Sequence, residues 1–134
     1  MKYVIFALTI VTLVASTSLS LVANDVAPAT IEGTIRDISC PIQNHKSTAT
    51  DFNLECAVAC AKQGSPLIIL TKTGDVYIPI STSTPDVDQR QRLMPFVGKF
   101  VKVTGTVYEL SGTRAIAMKT IEEDKNQKLK TDSQ

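Results

Sequence analysis

Residues 99–110 read Lys-Phe-Val-Lys-Val-Thr-Gly-Thr-Val-Tyr-Glu-Leu. Val101, Val103, Gly105 and Val107 fall on one face and Lys102, Thr104 and Thr106 on the other, the two-residue period of a strand with one side buried. Ser111 and Gly112 then supply a turn, and a partner strand is expected over 113–121. Working outward, residues 30–38 alternate in the same way, with Ile31, Gly33 and Ile35 opposed to Glu32, Thr34 and Arg36. Residues 67–70, Leu-Ile-Ile-Leu, form a wholly apolar run suited to a buried strand, and 76–80 returns as its hairpin partner after Thr73, Gly74 and Asp75, with Pro79 at an edge or exit. A helix is predicted over 52–63, capped by Thr50 or Asp51 and stopped by Gly64 ahead of Pro66. Pro85 opens a second, shorter helix that ends near Met94. The fold class is therefore mainly β with one or two short helices, arranged as a small five-stranded antiparallel barrel in which Gly33 and Gly105 permit sharp bends.

Two stretches add a resemblance. Residues 96–107 resemble the strand entry of small bacterial OB-like domains. The pattern Gly-x3-Asp-x2-Cys at 33–40, followed by Glu-Cys-x3-Cys-Ala-x2-Gly-x-Pro-Leu at 55–67, is similar to a group of uncharacterised exported bacterial OB-fold-like domains with a Cys/His cluster. The likeness spans most of the chain after its leader and implies an OB-like barrel, with no particular activity attached.

The first 23 residues carry one positive charge at Lys2, an apolar run too short to span a bilayer with ease, and a small-residue stretch ending at Ala23, the layout of a secretory signal peptide. The expected organisation is a leader over 1–23, one domain over 24–121 and a disordered, charged tail over 122–134. Export makes the protein periplasmic or secreted, with membrane attachment only if the leader stays uncleaved. With Lys2 set aside, thirteen basic side chains match thirteen acidic ones, so no partner is held by charge alone. The few aromatic residues form no basic, stacking-competent stripe, which argues against nucleic acid.

Cys40, His45, Cys56 and Cys60, which include every cysteine and the single histidine of the chain, lie in one segment. Thiolate and imidazole are the donors that hold soft and borderline transition metals, and the four together are candidate metal ligands. An odd number of cysteines leaves one thiol over in an oxidising compartment. On a helix, Cys56 and Cys60 share a face at a spacing too wide for an unstrained disulfide and suited to a shared ion. Asp37, three residues before Cys40, is a candidate acceptor that orients His45. Met94 and Met118 are read as core filler more than as extra soft ligands.

Copper is favoured over zinc as the cofactor, because thiolate-rich sites outside the cytoplasm suit Cu(I). The Cys-x3-Cys pair with a distant histidine also resembles the copper ligands of Sco-type assembly proteins, although those have a thioredoxin-like fold and a proline directly after the second cysteine, where this chain has Ala61. The function expected is a non-enzymatic protein that holds one metal ion for handling or bracing, with an envelope metal-handling protein as a further partner. Two alternatives stay open. One is thiol-redox chemistry, disfavoured because Cys56 and Cys60 begin inside the predicted helix, away from the first turn where exposed amides lower a thiol's pKa. The other is an interaction module in which Cys40 is bridged to Cys56 or Cys60, and His45 is merely solvated.

Overall fold

The computed structural model describes residues 27–132, so the expected leader lies outside the described residues. Strand β1 (Ala29–Asp37) leads into a one-turn helix α1 (Ser39–Gln43), helix α2 (Leu54–Lys62), and the hairpin β2 (Leu67–Leu70) and β3 (Val76–Ile80). Helix α3 (Arg90–Leu93) and a 3-10 turn over Met94–Phe96 precede the long hairpin β4 (Phe100–Leu110) and β5 (Thr113–Glu123). Among the described residues no helix is long and apolar enough to cross a membrane.

The strands close into a barrel in the order β1-β2-β3-β5-β4. Four of the pairings are antiparallel, and β3 and β5 run parallel, with Tyr77 opposite Arg114 and Ile80 opposite Ala117. The expectation of an all-antiparallel barrel is corrected here by geometry alone. A closed ring with an odd number of strands cannot alternate direction all the way round, so one neighbouring pair must be parallel.

Strand β1 belongs to both halves of the ring. It pairs with β4 from Ala29 to Thr34 and with β2 from Thr34 to Asp37. Gly33 sits at that crossing, where a Cβ would lie 2.5 Å from the carbonyl oxygen of Leu70. Gly105 plays the same part beside the register shift between β4 and β5, where a Cβ would meet the carbonyl oxygen of Ala117.

Ile35, Leu67, Ile69, Val101, Val103, Ile116 and Met118 fill the interior, joined by Ala61 of α2 and Leu93 of α3. Met118 is thus core, and Met94 packs against it. All four residues of β2 are buried. Leu67 and Ile69 face the barrel, while Ile68 and Leu70 pack with Ala49 under the connection from β1. Arg90 and Arg92 brace the ends of the fold. Arg90 donates to the carbonyl of Ser65 at 3.0 Å, and Arg92 donates to the carbonyls of Met118 and Lys119 at 3.0 and 2.6 Å.

The tail is also corrected. Strand β5 continues to Glu123, and residues 130–132 return to bridge Asp51 and Asn53. Phe52 and Leu54 donate their amides to the carbonyls of Lys130 and Thr131, both at 2.9 Å, and the amide of Lys130 donates to Thr50 at 2.8 Å. Backbone pairing, which needs no apolar side chains, holds this charged segment in place.

Candidate metal site

The connection between β1 and β2 carries every cysteine of the chain. Its first turn is set by Asp37, whose Oδ2 accepts the amide of Cys40 at 3.0 Å. Pro41 is tolerated there because it falls in the first turn of α1, where an amide has no helical partner. Cys40 therefore lies on a helical turn two residues beyond the expected strand end. The loop that follows is drawn onto the outer wall of β1. Thr34 donates its hydroxyl to the carbonyl of Ala49, and Arg36 donates to the carbonyl of Thr48 at 2.8 Å and to Ser47 Oγ at 2.7 Å. Thr34 and Arg36, on the face expected to meet solvent, are fully buried as a result. The Arg36 guanidinium also stacks 4.1 Å from the centre of the Phe52 ring.

Helix α2 starts later than expected. Residues 51–53 are held extended by their pairing with the C-terminal segment, so Asn53 becomes the cap in place of Thr50 or Asp51 and accepts the amide of Cys56 at 2.7 Å. Cys56 consequently sits in the first turn, where the alternative redox reading needs it, and not beyond it. Cys60 follows one turn later, and Gly64 ends the helix at a φ of +98°, as its position in the sequence predicts.

These elements bring the three sulfurs together. Cys40 Sγ and Cys56 Sγ are 3.4 Å apart, and all three sulfurs lie within 4.8 Å of one another. An ion bonded to thiolates at about 2.3 Å requires sulfurs about 3.8 Å apart in a tetrahedral arrangement and about 4.0 Å apart in a trigonal one. The observed spacing brackets both values. The three thiols are unpaired, so the bridge from Cys40 to Cys56 or Cys60 is not formed.

His45 is not brought in. Among the described residues the group of converging donors is Cys40, Cys56 and Cys60, and His45 lies outside it. The imidazole is exposed and lines a different cavity, beside Pro41, Leu70 and Thr73. Anchoring of residues 47–49 onto β1 turns the preceding loop towards the β2–β3 hairpin. Asp37, expected to orient His45, is instead fully buried and serves the Cys40 turn.

Asp37 Oδ1 and Arg36 Nε are both buried without a hydrogen-bond partner. Burial pushes the Cys40 thiol up to about 12, with the neighbouring Cys56 and Asp37 adding to the effect. Burial and then the Asp37 carboxylate raise Cys60 as well. Burial lowers Arg36, against the pull of Asp37 and the two nearest sulfurs. A bound cation would supply the positive charge that lets such thiols bind as thiolates. Sequence reasoning missed Arg36. Its signal was an adjacent Arg-Asp pair at the end of a strand, just before the first cysteine.

Comparison with protein-family models, with curated proteins and with solved structures gives no match, so the site is read from its own chemistry.

Proposed function

We propose that this is an exported protein that holds one transition-metal ion through Cys40, Cys56 and Cys60, for metal handling or for bracing the fold. The observation that carries the reading is the convergence of three unpaired sulfurs at distances fitted to a single ion. Copper is favoured over zinc. A structural zinc site asks for four protein donors, whereas three thiolates satisfy the trigonal, soft preference of Cu(I), and the imidazole that would make a Cys3His set stands apart. Export rests on the leader-like residues 1–23, and an envelope protein that delivers or receives the ion fits that location.

Protein purified under anaerobic, reducing conditions is expected to take up about one equivalent of Cu(I) per chain, measured by elemental analysis, and to lose it in Cys56→Ser and Cys60→Ser variants. Failure to take up either Cu(I) or Zn(II) overturns the reading. Recovery of chains that begin after Ala23 from an envelope fraction tests the export.

The 3.4 Å approach of Cys40 and Cys56 supports a second reading, as a thiol pair. In that reading the two thiols give two electrons and two protons to a disulfide oxidant and form a Cys40–Cys56 bond, leaving Cys60 free. Mass spectrometry after non-reducing digestion separates the two, because a bridged Cys40–Cys56 peptide supports redox chemistry and three free thiols support the metal.

A further inference from the structure

The three sulfurs do not face the same surroundings. Cys40 and Cys56 line a cavity of about 440 Å³, and Cys60 does not. Cys56 is exposed, whereas Cys60 is half-buried on the far side. An ion seated on the triad is therefore approached from the cavity, and among the described residues no further histidine, cysteine or carboxylate joins the donor group.

The walls of this cavity have a definite chemistry. Lys46 stands exposed in the lining, and Arg36 lies behind the wall with none of its surface open to water, its guanidinium spent on Thr48 and Ser47 and its charge offset by the neighbouring Asp37. The carboxylate of the lining, Asp51, is met by Lys130 Nζ at 3.8 Å, so Lys46 is the exposed cation that faces the cavity. Asn44 and Asn53 add amide groups, and Phe52 gives an apolar surface. The volume far exceeds the roughly 30 Å³ of a water molecule and falls in the range of sites for small organic ligands.

We infer that this cavity admits a low-molecular-weight thiol bearing a carboxylate, whose sulfur joins the metal ion while its carboxylate faces Lys46. The inference rests on the three-sulfur metal reading and names the exchange partner of that site. An incoming sulfur that takes the place of one protein thiolate keeps a soft, three-sulfur set around the ion, which points to a thiol. Lys46 and the amide groups select an anionic remainder. In the step itself the incoming thiol releases its proton to solvent and its sulfur forms a bond to the ion. No electrons are transferred, and departure of a protein thiolate, which regains a proton, would complete a hand-over.

The test uses the full chain loaded with Co(II), whose sulfur-to-metal charge-transfer band reports the triad and whose visible bands report a change of coordination. Mercaptoacetate, 2-mercaptoethanol and acetate are titrated in turn. Mercaptoacetate is expected to alter the visible bands at about tenfold lower concentration than 2-mercaptoethanol, the worth of one charge-assisted contact, and acetate is expected to leave them unchanged. Lys46→Glu, on an exposed loop, is expected to abolish that preference while keeping the response to 2-mercaptoethanol. Lys46→Gln, which removes the charge without reversing it, serves as a second variant, with the charge-transfer band as the check that the triad is intact. Equal response to the two thiols, or no response to either while the charge-transfer band is present, overturns the inference and leaves the metal reading standing. Absence of the band overturns the inference, and failure to take up Cu(I) or Zn(II) as well overturns the metal reading.

Discussion

Replacing Cys60 with alanine, and in a second variant His45 with alanine, separates the donors that converge from the one that does not. Three sulfurs within 4.8 Å can each bond the same ion, whereas the exposed imidazole of His45 lines another cavity. Structural zinc sites of four donors contribute roughly 10–16 kcal/mol, or about 2.5–4 kcal/mol for each donor. Loss of the Cys60 thiolate should therefore weaken metal affinity by about a hundred- to a thousandfold. Cys60 is half-buried, so water cannot readily take the vacated position. His45→Ala should change affinity by less than about twofold, because no bond to the ion is removed. Competition against a chromophoric chelator, carried out anaerobically with a reductant present, measures both. Equal losses in the two variants would refute the assignment of the triad and restore histidine to the site.

Three other outcomes follow from the structure. Gly33→Ala places a methyl group 2.5 Å from the Leu70 carbonyl oxygen and 2.9 Å from Ile69 Cγ2, an overpacking expected to cost about 2–3 kcal/mol and to lower Tm by about 10–20 °C, and a Tm within about 3 °C of the parent in calorimetry would contradict it. Burial lifts Cys40 from an ordinary 9.0 to about 12, so the reduced, metal-free fold keeps a proton that the unfolded chain releases; its stability should be full below pH 9 and decline as pH rises towards 12, and a urea midpoint that climbs over that window would be the wrong sign. A chain ending at Asp124 loses the bonds from Phe52 and Leu54 to residues 130 and 131, and hydrogen exchange at those two amides should accelerate by about tenfold or more.

Much of the barrel was legible because its signals are side-chain patterns. The alternation in 99–110, the apolar Leu67–Leu70 and the stop at Gly64 each specify a local structure that packing then keeps. Gly33 and Gly105 stand where the backbone of Leu70 and of Ala117 comes too close for a Cβ, so a glycine in each strand pattern marked a real constraint. The parallel β3–β5 pair left no trace in either strand, since it follows from the count of strands in a ring.

The site was half legible. Cysteine spacing gave the triad, and the helix gave Cys56 and Cys60 their common face. The place of His45 depends on which loop carbonyls Thr34 and Arg36 capture, and those are long-range bonds that loop composition does not encode. The role of residues 130–132 was hidden for a related reason: main-chain pairing with 50–54 can be made by any residue except proline, so a polar, charged sequence looks the same whether it is clasped or loose.

That clasp sets an order of events. A polypeptide emerges from the ribosome, and from a translocation pore, with its amino end first. Residues 130–132 appear well after Cys56 and Cys60, and until they dock, Phe52 and Leu54 have no main-chain acceptors and the seat of Cys56 is unfinished. A nascent chain thus offers separate thiols to its surroundings, and the pincer closes on an ion only once residues 130–132 have emerged.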